Sequence, residues 1–165
     1  MTNPIIPEAA LQQHIAVLGK ALAVTTPTET DKAYAAGFFD GEGNICIARN
    51  EHAGKAKRYY TYNMRIGAAQ VDITPLLWLR DRWGGSIGPS NHWYGWRCFS
   101  HMAASFLIDT LPYLQVKRER AQLALRFQST IHQPGRRGHT AEHKALMADM
   151  KVQMNLLNAR RPRLP

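Results

Sequence analysis

The segment YAAGFFDGEGNI, from Tyr34 to Ile45, joins a predicted helix to a predicted strand. Its first part is apolar and rich in small residues, and its end carries two carboxylates, Asp40 and Glu42, each followed by a glycine. Negative charge is unfavourable at the C-terminal end of a helix, because unpaired carbonyl groups already concentrate partial negative charge there. The sequence therefore predicts that a positive group lies beside this helix end.

A divalent cation is one candidate for that positive group. Carboxylate oxygens suit Mg²⁺ and Ca²⁺, and Mg²⁺ often takes only one or two protein carboxylates together with phosphate oxygens of a substrate. The alternative is that Asp40 and Glu42 only solvate a turn. Short acidic motifs with glycine are common, so this motif alone does not decide between the two.

Length and composition favour a globular protein with one core. The chain has 165 residues, 45% of them hydrophobic, and no apolar run approaches the ~20 residues that cross a bilayer. The N-terminal segment, with Pro4, Pro7 and Glu8, does not resemble a signal peptide. Two cysteines are too few for a disulfide framework or a structural zinc site. We therefore expect an intracellular location, in the cytoplasm or an organellar matrix, with no secretion signal.

The net charge predicts a polyanionic partner. It is +9 at neutral pH, which favours a nucleic acid or a membrane surface over a neutral partner. The sequence contains no strong basic amphipathic helix, so the membrane surface is disfavoured. A soluble basic surface without a specific partner is the remaining alternative.

Periodicity predicts an α+β fold whose two hairpins form a four-stranded antiparallel sheet. One face of such a sheet can pack on helices while the other stays exposed, polar and basic. A curved antiparallel ribbon of this kind fits the DNA major groove. The predicted helices cover residues 7–24, 31–40, 72–82, 100–110, 113–131 and 140–158, with Thr30 or Asp31, Asp72, Ser100 and Thr140 as caps. The predicted strands cover residues 44–50 and 58–71, and the second hairpin covers residues 84–99 with its turn at residues 88–91.

Three segments together resemble the LAGLIDADG homing endonucleases. YAAGFFDGEGNI is similar to the family signature, and AQVDITPLLWLRDRWGGSI (residues 69–87) is similar to its strand end with a glutamine, helix and glycine pair. LPYLQVKRERAQLAL (residues 111–125) is similar to its late helix with an embedded lysine. The three occur in matching order, and the resemblance implies an αββαββα fold with a saddle-like sheet.

The resemblance also implies a domain division and a homodimer. The core would be residues 31–131, flanked by an N-terminal helical extension (residues 1–30) and a C-terminal helix with a basic tail (residues 132–165). The chain has one copy of the signature, so two chains would pair through their signature helices and read a roughly palindromic DNA target. The predicted interface residues are Ala35, Ala36 and Phe39, with Gly37 also permitting close approach.

The resemblance assigns site residues one at a time. Glu42 would be the metal-binding carboxylate, and the Gly41 carbonyl would be a second metal contact. Gln70 would orient the attacking water, or it only ends a strand. Lys117 would stabilise charge on the phosphate, or it is one of several solvated helix charges. Asp40 would be capping or structural.

The implied chemistry is hydrolysis of phosphodiester bonds in double-stranded DNA with Mg²⁺. Mn²⁺ is expected to substitute, and Ca²⁺ is expected to bind without supporting cleavage. The family often has a basic residue soon after the glutamine, but this chain has Ile73, Thr74 and Pro75 there. A catalytically silent binder, such as an RNA splicing maturase or a DNA-binding regulator, is the alternative. Retention of the glutamate, glutamine and lysine favours the nuclease.

DNA contacts are expected on the outward-facing strand residues and on nearby basic residues. Cys46 and Cys98 are predicted to be packing residues, and the four tryptophans are predicted to be core residues. The predicted DNA-binding residues are Asn44, Arg49, Asn50, Lys55, Lys57, Arg58, Thr61, Asn63, Arg65, Ser90, His92 and Arg97.

Overall fold

A computed structural model describes residues 25–53, 58–131 and 139–159. The helix predicted over residues 7–24 and the basic tail after residue 159 lie outside the described residues. The elements of the described part follow in the order α1 (Glu29–Glu42), β1 (Gly43–Ala53), β2 (Arg58–Gln70), α2 (Thr74–Trp83), β3 (Ser86–Ser90), β4 (Trp93–Phe99), α3 (Ser100–Thr110), α4 (Arg118–Thr130) and α5 (Ala141–Asn158). None of these helices is long and apolar enough to cross a membrane.

Helix α1 begins with a capping box. The Thr28 hydroxyl accepts a hydrogen bond from the Asp31 backbone N–H at 3.2 Å, and the Asp31 carboxylate accepts one from the Thr28 N–H at 3.0 Å. The predicted cap, Thr30 or Asp31, was therefore wrong by two or three residues. The helix also continues past Asp40 to Glu42. A Cβ on Gly43 would lie 2.3 Å from the Phe39 ring, so only glycine lets the chain turn this closely into β1.

The sheet is antiparallel, in the order β1-β2-β4-β3. In the first hairpin Ile45 pairs with Ile66 on the buried face, and Cys46 pairs with Arg65 on the other face. This register confirms the predicted alternation. The second turn comes later than predicted, at residues 91–92, where Asn91 has φ 47°. Asparagine tolerates this left-handed conformation better than most residues.

The core lies between the sheet and the helices. Phe106 of α3 packs against Phe39, Trp83 and Trp96, with ring centroids 4.9, 5.2 and 5.2 Å away respectively. Trp83 and Trp96 are buried and Trp78 is partly buried, as predicted. Trp93 was predicted to be a core residue, but its side chain is 42% exposed. It lies next to the turn on a strand whose alternate residues face solvent.

Helix α5 belongs to the same core. Met147 and Met154 are buried, and the Asn158 side-chain amide donates to the Ile45 carbonyl of β1 at 2.8 Å. Thr140 caps the helix by accepting from the His143 N–H at 3.2 Å, as predicted. The C-terminal helix therefore packs on the sheet as part of the folded unit.

Three further helix starts differ from the predictions. Helix α2 begins at Thr74 with Ile73 at its N-cap, and the predicted cap, Asp72, accepts instead from the Thr74 N–H at 2.8 Å. Ser100 has φ 47° and provides no side-chain cap for α3. Helix α4 begins at Arg118, after turns over residues 111–117. Pro112 follows α3, which is where a proline commonly interrupts the chain. As a result Lys117 occupies the N-cap position of α4, outside the helix in which the sequence placed it.

Candidate functional site

The acidic end of α1 meets the turn that precedes α4. The Asp40 carboxylate accepts hydrogen bonds from three successive backbone N–H groups, those of Gln115 at 2.7 Å, Val116 at 3.1 Å and Lys117 at 2.9 Å. Unpaired N–H groups at the start of a helix form a natural anion site. Asp40 therefore caps the approach to α4, as its predicted capping or structural role requires.

Lys117 is drawn into the same contact. Its ammonium group donates a hydrogen bond to the backbone carbonyl of Asp40, and the residue is only 8% exposed. Burial lowers the pKa of Lys117, while the nearby carboxylates of Asp40 and Glu42 oppose that shift. The alternative of a solvated helix charge is therefore wrong, and Lys117 lies within electrostatic reach of both acids.

Glu42 differs from Asp40 in having no partner in this structure. It is exposed at the last position of α1, and within the described ranges no hydrogen bond or ion pair joins its side chain to another residue. Gly41 is also exposed, and a Cβ built on it meets nothing within 4 Å. Asp40 is thus stabilised inside the chain, whereas Glu42 presents an unpaired carboxylate to solvent.

Gln70 lies at the same end of the sheet. It is the last residue of β2, and the pairing of Gly43 with Ala68 places this strand end beside the end of α1. The side-chain oxygen of Gln70 accepts from the Val71 N–H at 2.9 Å, so the side chain folds back on its own strand. Its assignment as the residue that orients water stays a prediction.

A polar, basic face extends from this site across the sheet. Asn44, Gly67, Arg97 and Ser86 form one row across the four strands. A Cβ on Gly67 would lie 3.3 Å from the Asn44 side-chain oxygen and 2.7 Å from the Trp96 carbonyl oxygen. Glycine at this position therefore leaves room for both groups. On this polar face Asn44, Asn50, Thr61, Arg65 and Arg97 are exposed, and Asn63 is half-buried.

The remaining DNA-binding candidates are placed less uniformly. His92 is exposed in the second turn, and Ser90 is half-buried in β3. Arg49 lies on the opposite face from Asn50, with its guanidinium 4.1 Å from the centre of the Tyr60 ring. Lys55, Lys57 and the side chain of Arg58 lie outside the described residues. Contact of any of these residues with DNA stays a prediction.

The sequence reasoning missed two residues on the polar face, His52 and Trp93. The His52 Nε2 lies 2.8 Å from the Thr61 hydroxyl, and its ring stacks on Tyr59 with centroids 4.9 Å apart. Strand β1 runs three residues beyond its predicted end, and extending the alternation would have found His52. Trp93 is four residues before Arg97, so the same alternation places it on this face.

The predicted dimer-interface residues are wrong. Ala35, Ala36 and Phe39 are all 0% exposed, because this side of α1 packs into the core of its own chain. The exposed side of the helix carries Ala33, Gly37 and Gly41, spaced one turn apart. Of the residues predicted to allow close helix approach, only Gly37 lies on this exposed side.

The oxygen atoms at this end of α1 suit a Mg²⁺ site whose other ligands would be water and phosphate oxygens. The described part of the chain contains no group of three or more His, Cys, Asp or Glu side chains that could hold a metal ion. The Glu42 carboxylate and the Gly41 carbonyl offer two oxygen donors at an exposed position. Mg²⁺ keeps several water ligands and binds through one or two carboxylates plus phosphate oxygens, so these donors suit it.

The helices and the four-stranded antiparallel sheet form the fold seen in solved LAGLIDADG homing endonucleases, which confirms the predicted fold class. The homing endonuclease I-CvuI superposes with a TM-score of 0.70 at 21% identity, over 82% of this chain and 87% of that one. It was crystallised with the I-CreI target in Mg²⁺, where the DNA was not cleaved, and with its own target in Ca²⁺.

Two further DNA complexes share the fold. The archaeal intron-encoded homing endonuclease I-Vdi141I gives a TM-score of 0.66 at 11% identity, over 83% of this chain and 89% of that one. The LAGLIDADG homing endonuclease I-GzeII gives 0.57 at 18% identity, over 81% of this chain but 46% of that one. Neither protein-family models nor curated proteins gave a match.

Proposed function

We propose that this chain is a site-specific DNA endonuclease that acts as a homodimer with a divalent metal. The observation that carries the proposal is that one end of a polar, basic sheet face holds both an exposed Glu42 carboxylate, which has no hydrogen bond or ion pair, and a buried Lys117. A protein that only bound DNA would have no need of a free carboxylate beside the phosphate backbone.

The sheet face supplies the DNA contact. It carries exposed amide, hydroxyl and guanidinium groups, which are the side chains that read base edges in the major groove. The net charge of +9 favours the phosphate backbone. The solved proteins with this fold include several bound to DNA targets, which supports the same use of the face here.

The open side of α1 supports the dimer. Ala33, Gly37 and Gly41 form a stripe of small residues on which a second α1 can pack closely, with the exposed Tyr34 side chain beside it. Such packing brings two copies of Glu42 together at one end of the paired helices. The chain spans 46% of I-GzeII, so one chain corresponds to about half of that enzyme.

Each residue of the site then has a distinct role. Glu42 and the Gly41 carbonyl would hold the metal, which when bound polarises the scissile phosphate and supplies a nucleophilic water. Lys117 places positive charge where charge develops on the phosphate, and Gln70 orients a water molecule. Asp40 stabilises the turn before α4, because both of its carboxylate oxygens accept backbone hydrogen bonds there.

No cysteine is needed as a nucleophile. Burial raises the pKa of Cys98 to about 11, so this thiol stays protonated and inert. Mg²⁺ is the expected metal, Mn²⁺ should replace it, and Ca²⁺ should support binding without cleavage.

Selection from a randomised duplex library, in Mg²⁺ and separately in Ca²⁺, tests this function. The nuclease should yield one near-palindromic site that is cut in Mg²⁺ and bound intact in Ca²⁺. Specific binding without a cut in Mg²⁺ would favour a catalytically silent DNA-binding regulator. Selective binding of structured RNA in place of duplex DNA would favour an RNA splicing maturase.

A further inference from the structure

We propose that Asp40 is the positioning residue for Lys117: its carboxylate fixes the turn over residues 115–117 so that the lysine ammonium stays beside the Glu42 end of α1. The inference rests on the proposed nuclease function and deepens it. It assigns to the first acid of the motif a task distinct from that of Glu42.

The Asp40 carboxylate accepts three backbone hydrogen bonds from a single turn. Oδ2 of Asp40 accepts from Gln115 at 2.7 Å and from Val116 at 3.1 Å, and Oδ1 accepts from Lys117 at 2.9 Å. Three successive N–H groups can converge on one anion only when the turn holds a single conformation. Loss of the carboxylate would leave these donors to find other partners, so the turn would no longer be fixed.

Asp40 and Lys117 hydrogen-bond to each other in both directions. The Lys117 ammonium donates to the Asp40 backbone carbonyl, one residue before Gly41 and two before Glu42. The anion therefore lies at the start of α4, and the cation lies at the end of α1. Each charge occupies the helix end that favours it, and this answers how an acid is tolerated at the C-terminal end of α1.

Lys117 depends on the Asp40 contact for the position of its backbone. It sits at the N-cap position of α4, outside the regular helix, with φ −102° and ψ 8°. Its backbone is fixed by Asp40 on one side and by α4 on the other. A displacement of ~1 Å at a catalytic group can cost about 10²-fold in rate, so a loosened turn should show in catalysis.

A double-mutant cycle on the cleavage rate provides the test. Asp40→Asn should lower single-turnover cleavage about 10²-fold and leave target affinity in Ca²⁺ unchanged. Asp31→Asn is the matched control, since that carboxylate also caps a backbone N–H, at the other end of α1. In a Lys117→Met background, Asp40→Asn should change the rate by no more than about twofold. Full additivity of the two losses would overturn the proposal.

Hydrogen exchange in the metal-free, DNA-free protein gives a readout that does not depend on activity. The amides of residues 115–117 should be protected in the wild type and in Asp31→Asn, and should exchange freely in Asp40→Asn. Free exchange of these amides in the wild type would overturn the proposal even if the enzyme cuts DNA. Protected amides in a protein that cuts no duplex would refute the nuclease and retain the positioning contact, so the two failures are distinguishable.

Discussion

Gly37 and Gly41 lie one helical turn apart on the exposed side of α1, and a Cβ built on either residue meets no atom within 4 Å. The opposite side of the same helix is completely buried at Ala35, Ala36 and Phe39. One side of α1 thus holds the protomer together, and the other is free for a second chain. Mutations on the two sides should therefore have different consequences.

Gly37→Leu should convert the dimer into a folded monomer. The new side chain would separate the paired helices without meeting atoms of its own chain, and leucine favours the helix over glycine by about 1 kcal/mol. Sedimentation equilibrium should give the mass of one chain, and thermal unfolding should stay cooperative with a midpoint that no longer depends on protein concentration.

Two controls define this result. Ser105→Leu adds the same side chain to an exposed position of α3 and should leave the dimer intact. Phe39→Ala removes a buried ring and should destabilise the protomer by about 3–5 kcal/mol. A Gly37→Leu protein that remains dimeric would show that α1 is not the interface.

Arg97→Ala should weaken target binding while Arg49→Ala should not change sequence preference. Arg97 lies on the polar face beside Asn44, whereas Arg49 lies on the opposite face over Tyr60. Loss of a specific base contact costs about 1–3 kcal/mol of binding free energy. Fluorescence anisotropy in Ca²⁺ with the selected target and single-base variants measures both quantities. Equal losses of affinity and preference for the two variants would mean that the polar face does not read the DNA.

The two cysteines should differ in reactivity towards iodoacetamide. Cys46 is half-buried on the polar face, and Cys98 is buried with its pKa raised to about 11. The thiolate is the reactive form, so at mildly alkaline pH the native protein should be alkylated at Cys46 alone. Mass spectrometry locates the label, and bound target DNA should protect Cys46. Native Cys46→Ser should remain unlabelled, and labelling of Cys98 in that variant would contradict the assigned strand faces.

Helix α5 should contribute to global stability. Met154 is fully buried, and Met154→Ala should cost about 2–5 kcal/mol of unfolding free energy. Asn158→Ala removes the hydrogen bond to the Ile45 carbonyl and should cost about 0.5–1.5 kcal/mol. Denaturant unfolding measures both, with Val152→Ala, exposed on the same helix, as the mild control. If Met154→Ala were as mild as Val152→Ala, α5 would not belong to the core.

The strand faces were predictable because alternation has a period of two and leaves only two choices for each strand. Ile45, Ile47, Met64 and Ile66 marked one face clearly, and the structure buries them all. The sides of α1 were not predictable in the same way. This helix is apolar or small on nearly every side, so its pattern did not indicate which side the core would cover.

The contact between Asp40 and Lys117 could not be predicted from local sequence patterns, for another reason. The two residues are separated by 77 positions, and their meeting depends on how α3 returns the chain to the end of α1. The resemblance assigned Lys117 to the site and gave Asp40 a capping or structural role. It could not show that one accepts three backbone hydrogen bonds while Glu42 remains free.

The most direct test of metal-dependent cleavage compares wild type with Glu42→Gln on the selected target. Cleavage is measured in Mg²⁺ and binding is measured in Ca²⁺. Glu119→Gln, an exposed glutamate of α4, is the matched control. We predict that all three proteins bind the target equally, that wild type and Glu119→Gln cut both strands, and that Glu42→Gln cuts neither. Cleavage by Glu42→Gln at the wild-type rate would contradict the assignment of Glu42 as the metal-binding carboxylate.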